Sequence, residues 1–233
     1  MRRVEHEPAY VLHSHPWKES SLVVDAFTRG HGRVGLIARG ARRPTSGLRA
    51  RLLGFQPLSL SYSGRGALKT LIAAEWQGGG ADLGGRGLIC GFYVNELLLR
   101  LLPPEDAHPA LFDHYQQTLR ELALCSDVEP VLRRFELGLL RELGYAQTLD
   151  RTADGVPIEA DQRYAYVFGQ GLVPNQGPGP GYSGKALLDL AAGDYTDART
   201  LAEGKQLMRT LIAHYLGDKP LHTRQLLLDL QDL

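Results

Sequence analysis

The hydrophobic period changes once along this 233-residue chain, from about two to about 3.6, and the change falls across a glycine run. Before the run, apolar and polar residues alternate as they do on a half-buried strand. After it, apolar residues return every third or fourth position, as on one face of a helix. The run itself, Gly78-Gly79-Gly80-Ala81-Asp82-Leu83-Gly84-Gly85, has little to pack and no preferred backbone conformation. It reads as a linker over 78–86 between a β domain at 1–77 and a helical domain at 87–233. The expected class is therefore α+β.

Within the first domain, residues 9–14 read as a strand. A second spans 20–28, with Leu22, Val24 and Ala26 on one face and Val23, Asp25 and Phe27 on the other. Gly30-His31-Gly32 permits a tight reversal into a third strand at 33–39. Residues 40–54 hold four arginines with Pro44 and Gly47, which suits a loop with a short helical turn. Pairing resumes over 56–63, turns at Gly64-Arg65-Gly66 and returns over 67–75. Five short strands with an insertion between the third and fourth fit an OB-fold barrel.

Beyond the linker, Leu88, Ile89, Phe92, Tyr93, Leu97 and Leu101 mark a helix that stops at Pro103-Pro104. Leu111, Phe112, Tyr115, Leu119 and Leu122 mark a second. A third starts from Asp127 as N-cap with Pro130 in its first turn, and closes at Gly144. An irregular insertion follows at about 145–182, in which 164–168 and 172–173 pair around Gly169-Gln170-Gly171. Ser183 then caps a short helix ending at Gly193, residues 197–216 form a longer one, and a last helix begins near Thr223. The second domain is thus a helical bundle with a small irregular β insertion. Cys90 and Cys125 both fall in leucine-rich patterns and read as small core residues; two cysteines make neither a disulfide framework nor a four-cysteine zinc site.

Charge separates the halves more sharply than composition does. The net charge is zero, yet residues 1–80 hold twelve Lys/Arg against five Asp/Glu. A small basic domain points to a polyanion. Arg39, Arg42, Arg43, Arg49 and Arg51 crowd thirteen residues that contain no acid, an arrangement that repels itself unless an anion joins it. An OB barrel binds single strands with a cationic groove for phosphates and rings on which bases stack. Lys18, Arg33, Arg39, Arg42, Arg43, Arg49, Arg51, Arg65 and Lys69 are the candidate cations, with Trp17 as the exposed ring and Phe27 and Phe55 as core. His13 and His15, two apart on a strand, share a face; with no acid or cysteine nearby they read as surface or nucleic-acid-facing rings rather than zinc ligands.

Enzyme chemistry finds little support. Gly179 to Lys185 fits the phosphate-loop spacing, but Ala186 stands where a magnesium-binding hydroxyl belongs and Pro180 removes an amide donor. The eight histidines are dispersed, with neither a nucleophile elbow nor a zinc-protease pair. No catalytic residue, cofactor or metal is assigned. No apolar run approaches the eighteen or so residues of a membrane span, and residues 1–8 lack a secretory pattern, so the expected location is the cytoplasm.

A series of short blocks resembles the RecO family of bacterial recombination mediators. They run from Ala9 to Ser14 and from Trp17 to Ser21, then Phe27-Thr28, His31-Gly32-Arg33 and Ala38 to Arg43. They continue with Phe55-Gln56-Pro57, Gly64-Arg65-Gly66, Leu68 to Leu71, Tyr93 to Leu98, Arg133 to Glu136 and Glu142 to Tyr145. The resemblance implies an OB barrel followed by a helical domain. It also implies binding of single- and double-stranded DNA, annealing of complementary strands, and cooperation with RecR in loading RecA onto strands covered by single-stranded DNA-binding protein. That protein's acidic C-terminal tail is expected to dock near Arg133, with Arg134 beside it. Many relatives carry a four-cysteine zinc module after the block matching Glu142 to Tyr145; residues 148–162 hold no cysteine, which resembles the zinc-free branch. Nucleoid association is the further expectation. The alternative is a generic OB module that binds RNA or single strands.

Overall fold

In the computed structural model, which describes residues 3–145, 148–175, 177, 181–217 and 220–223, five strands close into a barrel. They are β1 (Arg3–Trp17), β2 (Ser21–Thr28), β3 (Gly32–Ala38), β4 (Leu58–Ser63) and β5 (Leu68–Trp76). The order around the barrel is β1-β2-β3-β5-β4, antiparallel throughout except where β3 meets β5. Closure of this kind removes exposed strand edges. The long β1 makes it possible, pairing with β4 through residues 3–9 and with β2 through residues 9–17. Period-two alternation supplies the filling: Val24, Ala26, Leu36 and Leu60 are completely buried inside. The loop between β3 and β4 carries one short helix, α1 (Leu48–Arg51).

A bulge in β1 decides what this strand shows to solvent. Register against β2 shifts between Val11 and His13. Ala9 and Val11 face the core. After the extra residue, Leu12, His13 stands opposite Asp25, His15 opposite Val23 and Trp17 opposite Ser21, while Leu22 and Val24 remain the inward residues of β2. One inserted residue exchanges the two faces of a strand, so His13, His15 and Trp17 turn outward.

Two helices, α2 (Gly85–Leu101) and α3 (Pro109–Leu124), bury their apolar faces on the barrel wall. The Asn95 amide donates to the Leu12 carbonyl at 3.0 Å and accepts from the Tyr115 hydroxyl at 2.7 Å. The rings of Tyr10 and Phe27 meet those of Phe112 and Tyr115 at centroid distances of 5.2–5.9 Å, in tilted and edge-on geometry. At Gly32, with φ 65°, a Cβ would lie 1.8 Å from the Asp106 carbonyl oxygen, so only glycine lets the β2–β3 turn abut the α2–α3 loop. The chain returns to this unit at residues 220–223, where the Glu96 carboxylate accepts from the amides of His222 and Thr223, both at 2.9 Å.

By compactness the first unit extends past the glycine run at 78–86 to Val128. One unit holds the described residues up to Val128 and from Pro220; the other holds those from Glu129 to Gly217. The reason is the packing of α2 and α3, which share a core with the barrel. The second unit contains α4 (Glu129–Glu142), α5 (Gly184–Ala192), α6 (Ala198–Leu216) and a sheet of β6 (Arg163–Val167), β7 (Gly171–Pro174) and β8 (Tyr182–Ser183) in the order β7-β6-β8. The β6–β7 hairpin lies where the sequence pairs residues around Gly169; two-residue β8 carries no pattern long enough to detect. The Ser183 hydroxyl accepts from the Ala186 amide, and Gly193 at φ 74° closes α5, as their residue types predict. Cys90 is buried, but Cys125 is exposed, correcting its reading as core: it caps the end of α3 beyond the packed turn, next to an exposed Leu124. The helix expected near Thr223 falls largely outside the described residues.

Candidate nucleic-acid interface

The β1–β2 turn and the start of the β3–β4 loop are latched together. Lys18 takes a left-handed conformation, φ 51°, which aims the carbonyls of the turn at the loop. The Arg42 amide donates to the Ser20 carbonyl at 2.9 Å, and its guanidinium donates to the carbonyls of Lys18 and Glu19, both at 3.3 Å. Gly40, at φ 68°, supplies the left-handed backbone conformation of the turn, and the Arg43 side chain lies against it. Because Leu22 pairs with Ala38 and Trp17 with Ser21, Arg39 emerges at the same end of the barrel. The latch thus gathers Trp17, Lys18, Arg39, Arg42 and Arg43, all exposed. None of the four cations has a carboxylate partner among the described residues. Arg49 and Arg51 are also exposed, on α1 of the same loop.

Three other candidates lie elsewhere. Arg65 is exposed in the β4–β5 turn, adjoining Arg3 and Gly35 rather than the Trp17 end. Arg33 donates to the Leu102 carbonyl at 3.2 Å and to Asp25 at 3.5 Å. Lys69 donates to Glu105 at 2.5 Å and to the Gly66 carbonyl. Arg33 and Lys69 therefore hold the α2–α3 loop against the barrel, away from the end that carries Trp17. Nothing within the first 80 residues foreshadows this, since Leu102 and Glu105 lie beyond the linker.

The rings sort as the alternation implies, with one addition. Phe27 and Phe55 are core. Trp17 is 41% exposed. His13 and His15, both exposed, lie nearly parallel with centroids 6.0 Å apart on the same outer wall. Their spacing is visible in the sequence; their outward direction follows from the bulge at Leu12. Trp76, also exposed, ends β5, and no neighbouring residue in the sequence marks it as part of a site.

In the second unit Arg133, Arg134 and Lys185 are engaged. Arg133 is buried and donates to Glu136 at 2.5 Å, so it is not the exposed rim cation expected of a tail-binding site. The i, i+3 spacing of an arginine and a glutamate on an inward-facing stripe is the signal that finds this pair. Arg134 is exposed, its guanidinium 5.6 Å from the centre of the Tyr195 ring. A recess of about 520 Å³ opens beside Arg141, Leu149, Asp150 and Leu188. Lys185, the would-be phosphate lysine, is tied to Asp189 at 2.5 Å and Asp197 at 2.9 Å, and these bonds push its ammonium well above the usual lysine range. Gly179 and Pro180 of that motif lie outside the described residues. Among the described residues no histidine, cysteine and carboxylate cluster is placed to hold a metal, and no helix is long and apolar enough to cross a membrane.

Known proteins match the chain from end to end. Residues 1–79 match the family model for the recombination protein O N terminal, and residues 85–225 the model for its C terminal. A DNA repair protein RecO from Aromatoleum aromaticum is 52% identical over 236 residues, covering 100% of this chain and 98% of that protein. One from Nitrosospira multiformis is 52% identical over 237 residues, with the same coverage. A third, from Ralstonia nicotianae, is 50% identical over 235 residues, covering 99% of this chain and 86% of its own. With both family models in order on an OB barrel and identity at this level over full length, the chain belongs to the RecO family of DNA repair proteins.

Proposed function

We propose that this RecO protein is a non-enzymatic recombination mediator of the cytoplasm that grips DNA at the β1–β2 end of its barrel. The observation that carries the reading is the latch. It uses backbone carbonyls to tie Arg42 to the turn that carries Lys18, at the end of the barrel where Arg39 and Arg43 also emerge, with no carboxylate answering the four among the described residues. Arginine's planar fork suits phosphate oxygens, and Trp17 beside it suits a base. Among the described residues no helix or finger reads base edges from this site, so binding is independent of sequence and extends to both single and double strands.

If about six phosphates are engaged, log K on single strands falls with log salt at a slope of about −4. A flat dependence in a fluorescence-anisotropy titration overturns the reading. Comparing DNA with RNA of the same length separates it from a generic OB module, for which the two bind alike and strands do not anneal.

From this grip the protein anneals complementary strands coated with single-stranded DNA-binding protein and helps RecR load RecA. The acidic C-terminal tail of the coating protein docks on the second unit, where Arg134 is the exposed cation of the Arg133-Arg134 pair and Arg133 contributes through Glu136. A labelled tail peptide is expected to lose affinity on Arg134→Ala; equal binding removes Arg134 from that site.

A further inference from the structure

We infer that His13, His15 and Trp17 form a comb on the outer wall of β1 that takes bases of single-stranded DNA between its rings. This rests on the reading of the barrel as a DNA grip and adds how bases, as distinct from phosphates, are held.

The bulge at Leu12 is the first support. It reverses the facing of β1, so that the three rings, at every second position, leave the barrel on one side. Without it the inward face of β1 would continue Ala9, Val11, His13, and two imidazoles and an indole would enter an apolar core. The second support is spacing. Two residues of a strand advance about 6.8 Å, which is twice the thickness of about 3.4 Å of a stacked base. His13 and His15 lie at 6.0 Å and 28° from parallel, both exposed, so a small opening of two free side chains admits one base between them. Trp17 extends the row by the same repeat, giving a second gap.

Charge is the third support. The row ends at Lys18, and Arg39, Arg42 and Arg43 flank that end, so a strand whose bases enter the comb carries its phosphates toward cations that have no carboxylate partner among the described residues. Opposite the histidines on β2 stand Val23 and Asp25; the Asp25 carboxylate is turned to Arg33. Imidazole and indole both serve as stacking surfaces for unpaired bases. Duplex bases are already stacked and cannot enter, so the comb favours single strands over the duplex.

The test uses the full chain with Trp76→Phe, which leaves Trp17 as its sole tryptophan. Oligothymidylate is titrated against an abasic oligomer with the same number of phosphates, and Trp17 emission is read beside anisotropy. The comb predicts quenching by oligothymidylate only. It also predicts that His13→Ala and His15→Ala each weaken oligothymidylate binding by about tenfold, with abasic affinity, salt slope and melting temperature unchanged. Equal binding of the two oligomers, or equal losses on both in the variants, overturns the comb and leaves the phosphate grip standing. Failure of the unmutated chain to take up either oligomer overturns both.

Discussion

Tyr10 and Phe27, on one stretch of the barrel's outer wall, are buried under α2 and α3, whereas His13, His15 and Trp17, a few residues along β1, stand open. The cations divide in the same way. Arg33 and Lys69, toward the covered stretch, are bonded to the α2–α3 loop; Lys18, Arg39, Arg42 and Arg43, at the open end, have no carboxylate partner among the described residues. The residue types are alike, so the difference lies in what covers them. Where the chain supplies its own partner, a side chain contributes to stability. Where it supplies none, the same kind of side chain is left for a ligand.

The comparison breaks if the two stretches respond alike to substitution. The largest effect belongs to the covered stretch: Phe27→Ala, removing a fully buried ring packed against Phe112 and Tyr115, is expected to cost about 3–5 kcal/mol in urea unfolding. A loss below about 1 kcal/mol would mean that the helices do not depend on this wall. Next, at the open end, Arg42→Glu with Arg43→Glu should weaken single-strand binding by about a hundredfold and flatten the salt slope by about 0.7 for each phosphate that is no longer neutralised. The melting temperature should stay within a few degrees, and unchanged affinity excludes the loop.

A pH series sharpens the covered side. Burial pushes the Glu96 carboxyl up, but hydrogen bonds from the Thr223 amide and hydroxyl and from the His222 amide, with Arg100 alongside, outweigh it and hold the group below its ordinary value. A carboxyl depressed in the folded state stabilises fully above its unfolded-state pKa, and that contribution disappears as pH falls through the folded value. The stability gap between the unmutated protein and Glu96→Gln, about 1–2 kcal/mol at pH 7, should therefore narrow as pH falls past the ordinary glutamate value and close once it passes the lower folded one. A gap that does not change with pH would mean that the carboxylate's charge has no part in holding residues 222–223. The smallest effect is expected from Lys69→Ala, which should leave DNA affinity within about twofold and stability within about 1 kcal/mol. A tenfold loss of affinity would return Lys69 to the interface.

Much of the architecture is legible in order along the chain. Alternation around Leu22, Val24 and Ala26 marks β2, and the 3.6 period of Leu88 to Leu101 marks α2. Ser183 and Gly193 delimit α5 by type alone. The site is legible in part. Arg39, Arg42 and Arg43 are found because five arginines without an acid in one loop need an external partner. What the sequence does not show is that the charges of Arg33, Lys69 and Arg133 are each answered from within the chain. For Lys69 the answering group is Glu105, 36 residues away; for Arg133 it is Glu136, one helical turn away and facing inward.

By itself the sequence determined the periods, the turns, the caps and the basic character of the first 80 residues, since each depends on residues close together in the chain. Tertiary structure decided which face of β1 the histidines and Trp17 occupy, because a bulge belongs to a pair of strands and not to one. It also decided that α2 and α3 complete the barrel's unit despite the glycine run before them. Helix faces and barrel wall share one buried surface, and no local pattern records which apolar stripe meets which.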